Sequence, residues 1–344
     1  MNLPDKITKM ELYQPAAETA AIRLDANESC FPIIESLWDA ILEEIRKTPL
    51  HRYPDPAATE ACRLMGEYCG VPRDCIVAGS GSDELISIIT TALLPRGARL
   101  LVCDPDFAMY RFYAALCECA PVPCDRENGL PDIESLIEQA QAADALILSN
   151  PCNPTGQGLT REVMLSVIRA VPCLCIIDEA YMDFWDQSVL DEVGCSDRLI
   201  ILKTCSKNIG LAGIRLGFAL ANPELAGVLR AVKSPYNVNA VTQAIGAVVL
   251  SQPELLRQCT SQILEFKAYL YGRLLAWGER RPGVKLADTK ANFVLLGIPD
   301  PAGVHKSLMA RGIAVRKLPD MLRVTAGSRE ETDALIAALT EICV

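Results

Sequence analysis

The chain has 344 residues, 50% of them apolar, and its 43 acidic and 33 basic side chains give a net charge of −10. A negative surplus argues against nucleic acid or an anionic membrane as a general partner. No apolar run approaches the length of a membrane span, and the polar first residues lack the apolar core of a signal peptide, so we expect a cytoplasmic protein. Fifteen scattered cysteines without a C-x-x-C pair and only two histidines argue against a metal site.

Two segments near the start of the chain are candidates for the border of a pocket. Residues 1–30 read as extended and contain Asn27, and residues 33–47 have the apolar spacing of a helix. The stiff segment 52–56 follows, with Tyr53 between an arginine and a proline. Tyr53 is therefore part of a plain connector or sits on an arm that reaches into a pocket.

A glycine-rich turn joins a short strand at 75–78 to a helix at 85–94. Turns of this kind present free backbone N–H groups and the positive end of the helix dipole, which suits a phosphate. Ser80 and Asp83 also have the spacing of an ordinary capping box, so both interpretations stay open. The candidate phosphate residues are Ser80, Gly81, Ser82 and Asp83.

From residue 99 onward, apolar strands alternate with helical stretches, the pattern of a largely parallel buried sheet. The predicted strands are 99–103, 144–149, 173–178, 199–203 and 214–220. Ligands of such sheets bind beyond the carboxyl ends of the strands. The candidate site residues that end or follow these strands are Asp106, Phe107 and Tyr110, the segment from Asn150 through Asn153 to Gly156, the segment from Asp178 to Tyr181, and the segment from Thr204 through Ser206 to Lys207.

Lys207 follows the apolar strand that starts at Leu199, and Arg215 lies eight residues further on. A half-buried lysine beside a second cation can act as an amine nucleophile toward an aldehyde. A surface lysine with a buried stem is the alternative, and Lys207 alone does not decide between them.

Beyond residue 223 the chain turns helical and then changes character. Long helices are expected at 237–250 and 253–279, followed by a small α+β unit over 282–344 with strands near 292–297, 313–316 and 321–325. Arg316 and Arg323 lie on or beside two of these strands. They are either ordinary surface arginines or a clamp for an anion.

Together the strand ends supply the groups that hold pyridoxal phosphate. Asp178 can pair with the ring nitrogen, and Asn153 and Tyr181 can donate to the ring oxygen. Tyr110 is suited to stack on the ring. The remaining candidates, around the phosphate, are Thr204, Ser206, Arg215 and the turn from Ser80 to Asp83.

The chain resembles the fold-type-I pyridoxal phosphate enzymes, and within them the class I/II aminotransferases most similar to the histidinol-phosphate aminotransferases. The matching motifs run in the family's order over nearly the whole chain. They are LDANES (24–29), RYPDP (52–56), GSGSDEL (79–85), NPTG (153–156), DEAYMDF (178–184), TCSKNIGLAGIRLG (204–217), SPYNVNAVTQA (234–244) and LRVTAGSREE (322–331).

The resemblance implies roles for the candidate residues. Lys207 would form the imine with the coenzyme and shuttle the proton, while Asp178 and Tyr181 would act on the ring. Arg323, assisted by Arg316, would anchor the substrate anion. Asn27 and Tyr53 are further candidates for the substrate pocket, with Tyr53 reaching into the active site of a partner subunit.

The resemblance also implies an α/β fold and a homodimer with shared active sites. We expect a large domain with a mostly parallel seven-stranded sheet over 46–240 and a smaller α+β domain over 241–344. The segment 1–45 is expected to pack with the smaller domain.

Several functions fit these motifs. The leading hypothesis is transamination between histidinol phosphate and 2-oxoglutarate. An aminotransferase for aromatic or other amino acids is a close alternative, and a threonine-phosphate decarboxylase is another. The decarboxylases typically carry Phe where Tyr181 stands, which favours the aminotransferase. A coenzyme-binding sensor or an inactive relative is disfavoured by the complete set of ring, phosphate and anion residues.

Overall fold

The computed structural model of the chain describes Lys6 and residues 20–343. The expectation of an extended start therefore lies outside the described residues for 1–5 and 7–19. The strands, in chain order, are β1 (Ile22–Leu24), β2 (Ile76–Gly79), β3 (Arg99–Asp104), β4 (Ala120–Glu127), β5 (Leu130–Pro131), β6 (Ala145–Ser149), β7 (Leu174–Asp178), β8 (Leu199–Thr204), β9 (Gly217–Leu220), β10 (Lys285–Ala287), β11 (Phe293–Gly297), β12 (Ile313–Lys317) and β13 (Leu322–Thr325).

The α-helices of the described residues are α1 (Trp38–Lys47), α2 (Thr59–Cys69), α3 (Gly81–Ala92), α4 (Ala108–Leu116), α5 (Ile133–Ala140), α6 (Arg161–Ala170), α7 (Pro223–Val232), α8 (Ala240–Leu250), α9 (Pro253–Gly278), α10 (Pro301–Ala310) and α11 (Arg329–Ile342). Short 3₁₀ turns cover Ile33–Leu37, Arg73–Cys75, Met182–Phe184, Leu190–Glu192 and Ala212–Ile214.

The first sheet has eight strands in the order β2-β9-β8-β7-β6-β3-β4-β5. The five from β8 to β4 are parallel, which confirms a mostly parallel sheet. It has one strand more than the predicted seven, because β4 turns back through Asn128 and Gly129 to form the two-residue β5. Both turn residues have positive φ, 51° and 83°, as a two-residue hairpin requires.

Alternate residues of the central strands pack on opposite faces of this sheet. Leu101 and Leu146 belong to one core, whereas Leu100 and Ile147 belong to the other. Helices α3, α4 and α7 cover the second core, and α1, α2, α5, α6 and α8 cover the first. The apolar runs of the strands follow from burial on both faces.

The second sheet has five strands in the order β1-β12-β13-β11-β10. Strand β1 is parallel to β12, and the other pairs are antiparallel. One face packs against α9, α10 and α11 through residues such as Val294 and Leu335. On the opposite side, Phe293 and Leu295 pack with Tyr181 from the first unit. The two sheets therefore meet beside Tyr181.

The predicted domain boundaries at 45 and 240 stay predictions. Strand β1 joins the second sheet, but Ile41 of the same N-terminal segment packs into the first core. Helix α9 contributes Leu256 to the first core of the first sheet and Leu270 to the core of the second sheet. We propose that the chain passes from one unit to the other within α9.

The carboxyl ends of several strands meet at one edge of the first sheet. Thr204, the last residue of β8, pairs with Gly217, which in turn pairs with Gly79 at the end of β2. Ser149 at the end of β6 pairs with Asp178 at the end of β7. These pairings bring the glycine-rich turn and the predicted polar side chains to the same edge.

Two general features complete the description. In the described part of the chain, no helix is both long and apolar enough to cross a membrane. All fifteen cysteines are free thiols, and nine of them are buried within the two cores of the first unit or its rim (Cys62, Cys75, Cys103, Cys119, Cys124, Cys173, Cys175, Cys205 and Cys259). These nine act as small apolar packing residues.

The attachment of α9 to the core of the second sheet can be tested by truncating one leucine. Leu270 is fully buried, so Leu270→Ala should lower the free energy of unfolding by about 2–5 kcal/mol. Leu264 lies on the same helix with 36% of its surface exposed, and Leu264→Ala should cost less than about 1 kcal/mol. Urea unfolding followed by circular dichroism measures both. Equal losses would contradict this placement of α9.

Candidate active site

The carboxylate of Asp178 lies at the end of β7 and is buried with 4% exposure. Its oxygens accept hydrogen bonds from the Tyr110 hydroxyl at 2.8 Å and the Ala180 N–H at 3.0 Å. Burial raises the pKa of Asp178 from 3.8 to about 6, although both hydrogen bonds lower it. No cationic side chain among the described residues forms an ion pair with it. A cationic ring N–H would supply the missing partner.

Tyr110 occupies a different position from the one expected for a stacking ring. Its side chain is fully buried and its hydroxyl is bound to Asp178. A ring with no exposed surface offers no face to a ligand, so Tyr110 acts on the site through Asp178. Phe107, like Tyr110, follows β3, and it is partly exposed. Its ring packs edge to face against the ring of Tyr110, with centroids 5.5 Å apart. We propose Phe107 as the stacking residue.

The glycine-rich turn forms the N-terminus of α3. No side chain caps this end of the helix, so the predicted capping box is not formed. The Ser80 N–H is instead bound by the Glu84 carboxylate at 2.6 Å. Gly81 has φ of 81°, and a Cβ there would lie 2.6 Å from Arg215 Nη2. The open helix end and the adjacent guanidinium both offer N–H donors to an anion.

Strand β9 holds this turn in place. A Cβ at Gly217 would lie 2.4 Å from the Ser82 nitrogen, so only glycine allows the turn to approach the sheet this closely. Asp83 lies in the same turn, 4.0 Å from Arg215. Burial raises the pKa of Asp83, while the charges of Arg215 and Lys207 lower it. The positive charges of Arg215 and Lys207 therefore act on the glycine-rich turn.

The end of β8 adds two hydroxyl groups. The Thr204 hydroxyl donates to the Ser206 hydroxyl at 3.0 Å and accepts from the Ser206 N–H at 3.2 Å. Both residues are buried, with 6% and 8% exposure. They lie at the same strand edge as the glycine-rich turn, because Thr204 pairs with Gly217.

The amine of Lys207 is half-buried and reaches the N-terminal segment. Its Nζ donates to the Ala26 carbonyl at 3.0 Å and lies 5.7 Å from the ring centroid of Tyr181. Next to Ala26, Asn27 has a positive φ of 53° and donates from Nδ2 to the Tyr181 hydroxyl at 2.9 Å. The structure therefore brings the predicted residues Lys207, Asn27 and Tyr181 together.

The two arginines of the second sheet are direct cross-strand neighbours. Arg316 on β12 pairs with Arg323 on β13, which places both side chains on one face of the sheet. Arg323 donates to the Asn153 side chain and, at 2.6 Å, to the Asp25 carbonyl. Arg323 therefore spans the gap between the second sheet and the turn after β6.

Tyr53 lies on the surface rather than among these residues. It is 80% exposed, and its ring stacks on Tyr236 with centroids 4.4 Å apart. The backbone of this arm is held by Lys233, which donates to the Pro56 carbonyl at 2.8 Å. The arm is a fixed structure that presents an aromatic pair outward.

The sequence analysis missed a hydrogen-bonded chain behind Lys207. Asn208 donates to the Tyr68 hydroxyl at 2.9 Å, and Asp183 accepts from both Tyr68 and Lys203 at 2.7 Å. A cavity of about 710 Å³ opens beside Tyr68, Asp183 and Lys203. These hydrogen bonds fix the backbone at Asn208, directly after Lys207. No sequence signal predicts that Tyr68 lies beside this segment.

Comparisons with known proteins agree with this geometry. The family model for aminotransferase class I and II matches residues 19–339. The chain belongs to the class I and II aminotransferase family. Within it, the chain is 39% identical over 330 residues to a histidinol-phosphate aminotransferase of Clostridium kluyveri, covering 93% of each chain.

Solved structures show the same fold. The histidinol-phosphate aminotransferase of Sinorhizobium meliloti in complex with pyridoxal 5′-phosphate superposes with a TM-score of 0.90 at 22% identity, over 99% of this chain and 97% of that chain. The L-threonine-O-3-phosphate decarboxylase of Porphyromonas gingivalis gives 0.78 at 20% identity, over 93% and 98%. The predicted fold-type-I architecture and the resemblance to histidinol-phosphate aminotransferases are confirmed, whereas fold alone does not separate the two reactions.

The burial of Asp178 predicts a pH-dependent effect on stability in the coenzyme-free protein. A pKa raised from 3.8 to about 6 means that ionised Asp178 costs up to about 3 kcal/mol above pH 6, a cost that fades as the pH falls toward 4. Asp178→Asn should therefore stabilise the coenzyme-free protein at pH 8 and much less at pH 4.5.

Urea unfolding at the two pH values measures the difference. Asp197 is a matched control, because its side chain is 83% exposed and Asp197→Asn should give the same small change at both pH values. A stability difference for Asp178→Asn that does not vary with pH would contradict the assignment.

Proposed function

We propose that this chain is a pyridoxal-phosphate-dependent aminotransferase that transfers the amino group of histidinol phosphate to 2-oxoglutarate. The observation that carries the chemistry is a buried carboxylate, Asp178, at the same strand edge as the amine of Lys207 and an uncapped helix end. The named donor rests on the curated relative that is 39% identical over nearly the whole chain.

The residues present fit the coenzyme. Asp178 lacks a cationic partner among the described residues and is placed to receive a protonated ring nitrogen. The N–H groups of Gly81, Ser82 and Asp83 and the Ser80 hydroxyl, together with Arg215, Thr204 and Ser206, would hold the phosphate. Asn153 and Tyr181 would donate to the ring oxygen. When bound, pyridoxal phosphate supplies an aldehyde and a ring that accepts the electron pair of a broken Cα–H bond.

The chain's own residues perform the remaining work. Lys207 Nζ would take the proton from the substrate Cα and hold it until it is returned on the coenzyme side. Asn27 fixes the Tyr181 hydroxyl through its 2.9 Å hydrogen bond, which orients that phenol toward the ring oxygen. Arg323 and Arg316 would bind the phosphate of the donor or a carboxylate of the acceptor.

The function can be tested by spectroscopy on the purified protein. Histidinol phosphate or glutamate should abolish the visible band of the bound coenzyme, and 2-oxoglutarate should restore it. Lys207→Ala should lose the band and at least about 10³-fold of the turnover, because the proton carrier is gone. Lys47→Ala, at an exposed position on α1, is the matched control and should behave as the wild type.

Other outcomes would identify the alternatives. A band that ignores histidinol phosphate but responds to aromatic amino acids would make the chain an aromatic aminotransferase. Release of carbon dioxide from threonine phosphate would make it a decarboxylase. A protein that binds no coenzyme after reconstitution would contradict the whole assignment.

We also propose that the active enzyme is a homodimer in which Tyr53 completes the partner's site. The exposed aromatic pair Tyr53 and Tyr236 lies near Leu50, which is 61% exposed. Exposed apolar groups of this kind are typical of an interaction surface. The arm is anchored at Pro56 by Lys233, so it can project without losing its own contacts.

A subunit-mixing experiment tests the shared site. Tyr53→Ala and Lys207→Ala homodimers should each be poorly active, because every site contains one defect. Dissociating and re-pairing them should restore about a quarter of wild-type activity, since half of the dimers are mixed and each has one intact site. No recovery from re-paired dimers would show that Tyr53 serves its own subunit.

A further inference from the structure

A buried ion pair lies beside the candidate active site and takes no part in the chemistry described above. Asp106 follows β3, and Arg126 lies on the neighbouring strand β4. Arg126 Nη2 is 2.6 Å from Asp106 Oδ2, and the two side chains are only 2% and 1% exposed. Arg126 Nε has no hydrogen-bond partner among the described residues.

Stability does not account for this pair. Removing two charges from water costs several kcal/mol per ion, and apolar replacements of buried pairs are often neutral or stabilising. Ion pairs at the surface avoid most of this desolvation cost. One such pair lies close by: Asp104, two residues before Asp106, pairs with Arg111, and their side chains are 52% and 43% exposed. A buried pair at the edge of a ligand site therefore calls for an explanation in terms of position.

The Asp106 carboxylate joins two loops at the carboxyl edge of the sheet. One oxygen accepts from its neighbour, the Phe107 N–H, at 2.8 Å. The carboxylate also accepts from the Ser149 hydroxyl and, at 3.3 Å, from the Ser149 N–H. The loop after β3 is thereby tied to the end of β6.

The contact at Ser149 extends to a coenzyme candidate. The Ser149 hydroxyl accepts from the Asn153 N–H at 3.2 Å, and the Asn153 side chain accepts from Arg323. Asp106 therefore determines the position of the turn that carries Asn153 and of the backbone that carries Phe107. Arg126 neutralises the charge of Asp106 and holds its carboxylate in this network.

We propose that the Asp106–Arg126 ion pair is a positioning unit that sets Asn153 and Phe107 for the coenzyme ring. This inference rests on the proposed function. Neither side chain touches the coenzyme, because both are buried behind the loops that they hold. Loss of the pair misplaces the two ring contacts but leaves the helix end and Arg215, which hold the phosphate.

The test compares Arg126→Met and the double variant Asp106→Asn/Arg126→Met with the wild type. Arg126→Met leaves Asp106 buried and unpaired, so it can fail to fold. The double variant removes both charges, and we expect it to fold with a near-native thermal midpoint. Asp104→Asn, in the exposed pair at the end of β3, two residues before Asp106, is the matched control.

Three readouts separate positioning from a structural role. The affinity of the coenzyme-free double variant for pyridoxal phosphate should fall about 10-fold, with a shifted visible band. The kcat of the loaded enzyme should fall about 10- to 100-fold with a smaller change in KM. Stabilisation of the coenzyme-free protein by inorganic phosphate should be unchanged, because the phosphate residues are intact. Asp104→Asn should match the wild type in all three.

The outcomes are distinct. A folded double variant with wild-type coenzyme affinity, visible band and kcat would overturn the positioning role while leaving the proposed function in place. A parallel loss of phosphate stabilisation would also overturn it, because the pair would then act on the whole site. A wild-type protein that binds no coenzyme would overturn both proposals together.

Discussion

The burial of one carboxylate without a cationic side chain is the constraint around which the site is built. Asp178 ends a strand whose apolar residues are buried on both faces, so its side chain emerges into a region already shielded from water. Two neutral donors, Tyr110 and the Ala180 N–H, hold the carboxylate in place without neutralising it. The negative charge is therefore available to a ligand. The raised pKa of Asp178 reflects the unfavourable free energy of burying that charge.

The other parts of the site reach this carboxylate from separate regions of the chain. The glycine-rich turn arrives through the antiparallel strand β9, where Gly217 lets backbone pack on backbone. The second sheet contributes Arg323, and the N-terminal segment contributes Asn27, whose N–H donates to the hydroxyl of Thr325 at the end of β13. The two sheets and the separate segment bury Asp178, Asn27 and Arg323, and burial strengthens the polar contacts that these side chains make.

Sequence reasoning found the site where position along a strand decides the outcome. Asp178, Thr204 and Lys207 were identified because parallel strands end at a common edge. The stacking role of Tyr110 stays a prediction; the structure buries its ring and binds its hydroxyl to Asp178, a placement set by the phase of α4 and not by the strand end. The ion pair of Asp106 and Arg126 was missed, since Asp106 follows β3, Arg126 lies on β4, and no local pattern specifies the register of these two strands.

The periodicity of apolar residues also predicts some helices and strands better than others. The long helices and the strands of the second sheet appear close to their predicted bounds, because apolar spacing is strong there. Strand β4 lacks this signal, since most of its side chains are exposed at the edge of the sheet. The Asn-Gly pair at 128 and 129 is the local pattern that marks the end of this strand, since it favours a two-residue hairpin turn.

Helix α9 is a single rod of 26 residues that is shared by both units. At 1.5 Å per residue it is about 39 Å long, so a tilt of about 5° at one end displaces the other by about 3 Å. A displacement of about 3 Å equals the length of a hydrogen bond. The hydrogen bond from Arg323 to Asn153 spans the cleft between the two units that α9 connects. The proposed binding of a substrate anion by Arg323 would therefore depend on the stiffness of a helix whose ends lie in two different cores, so substitutions far from the cleft would alter substrate affinity by changing how that helix packs.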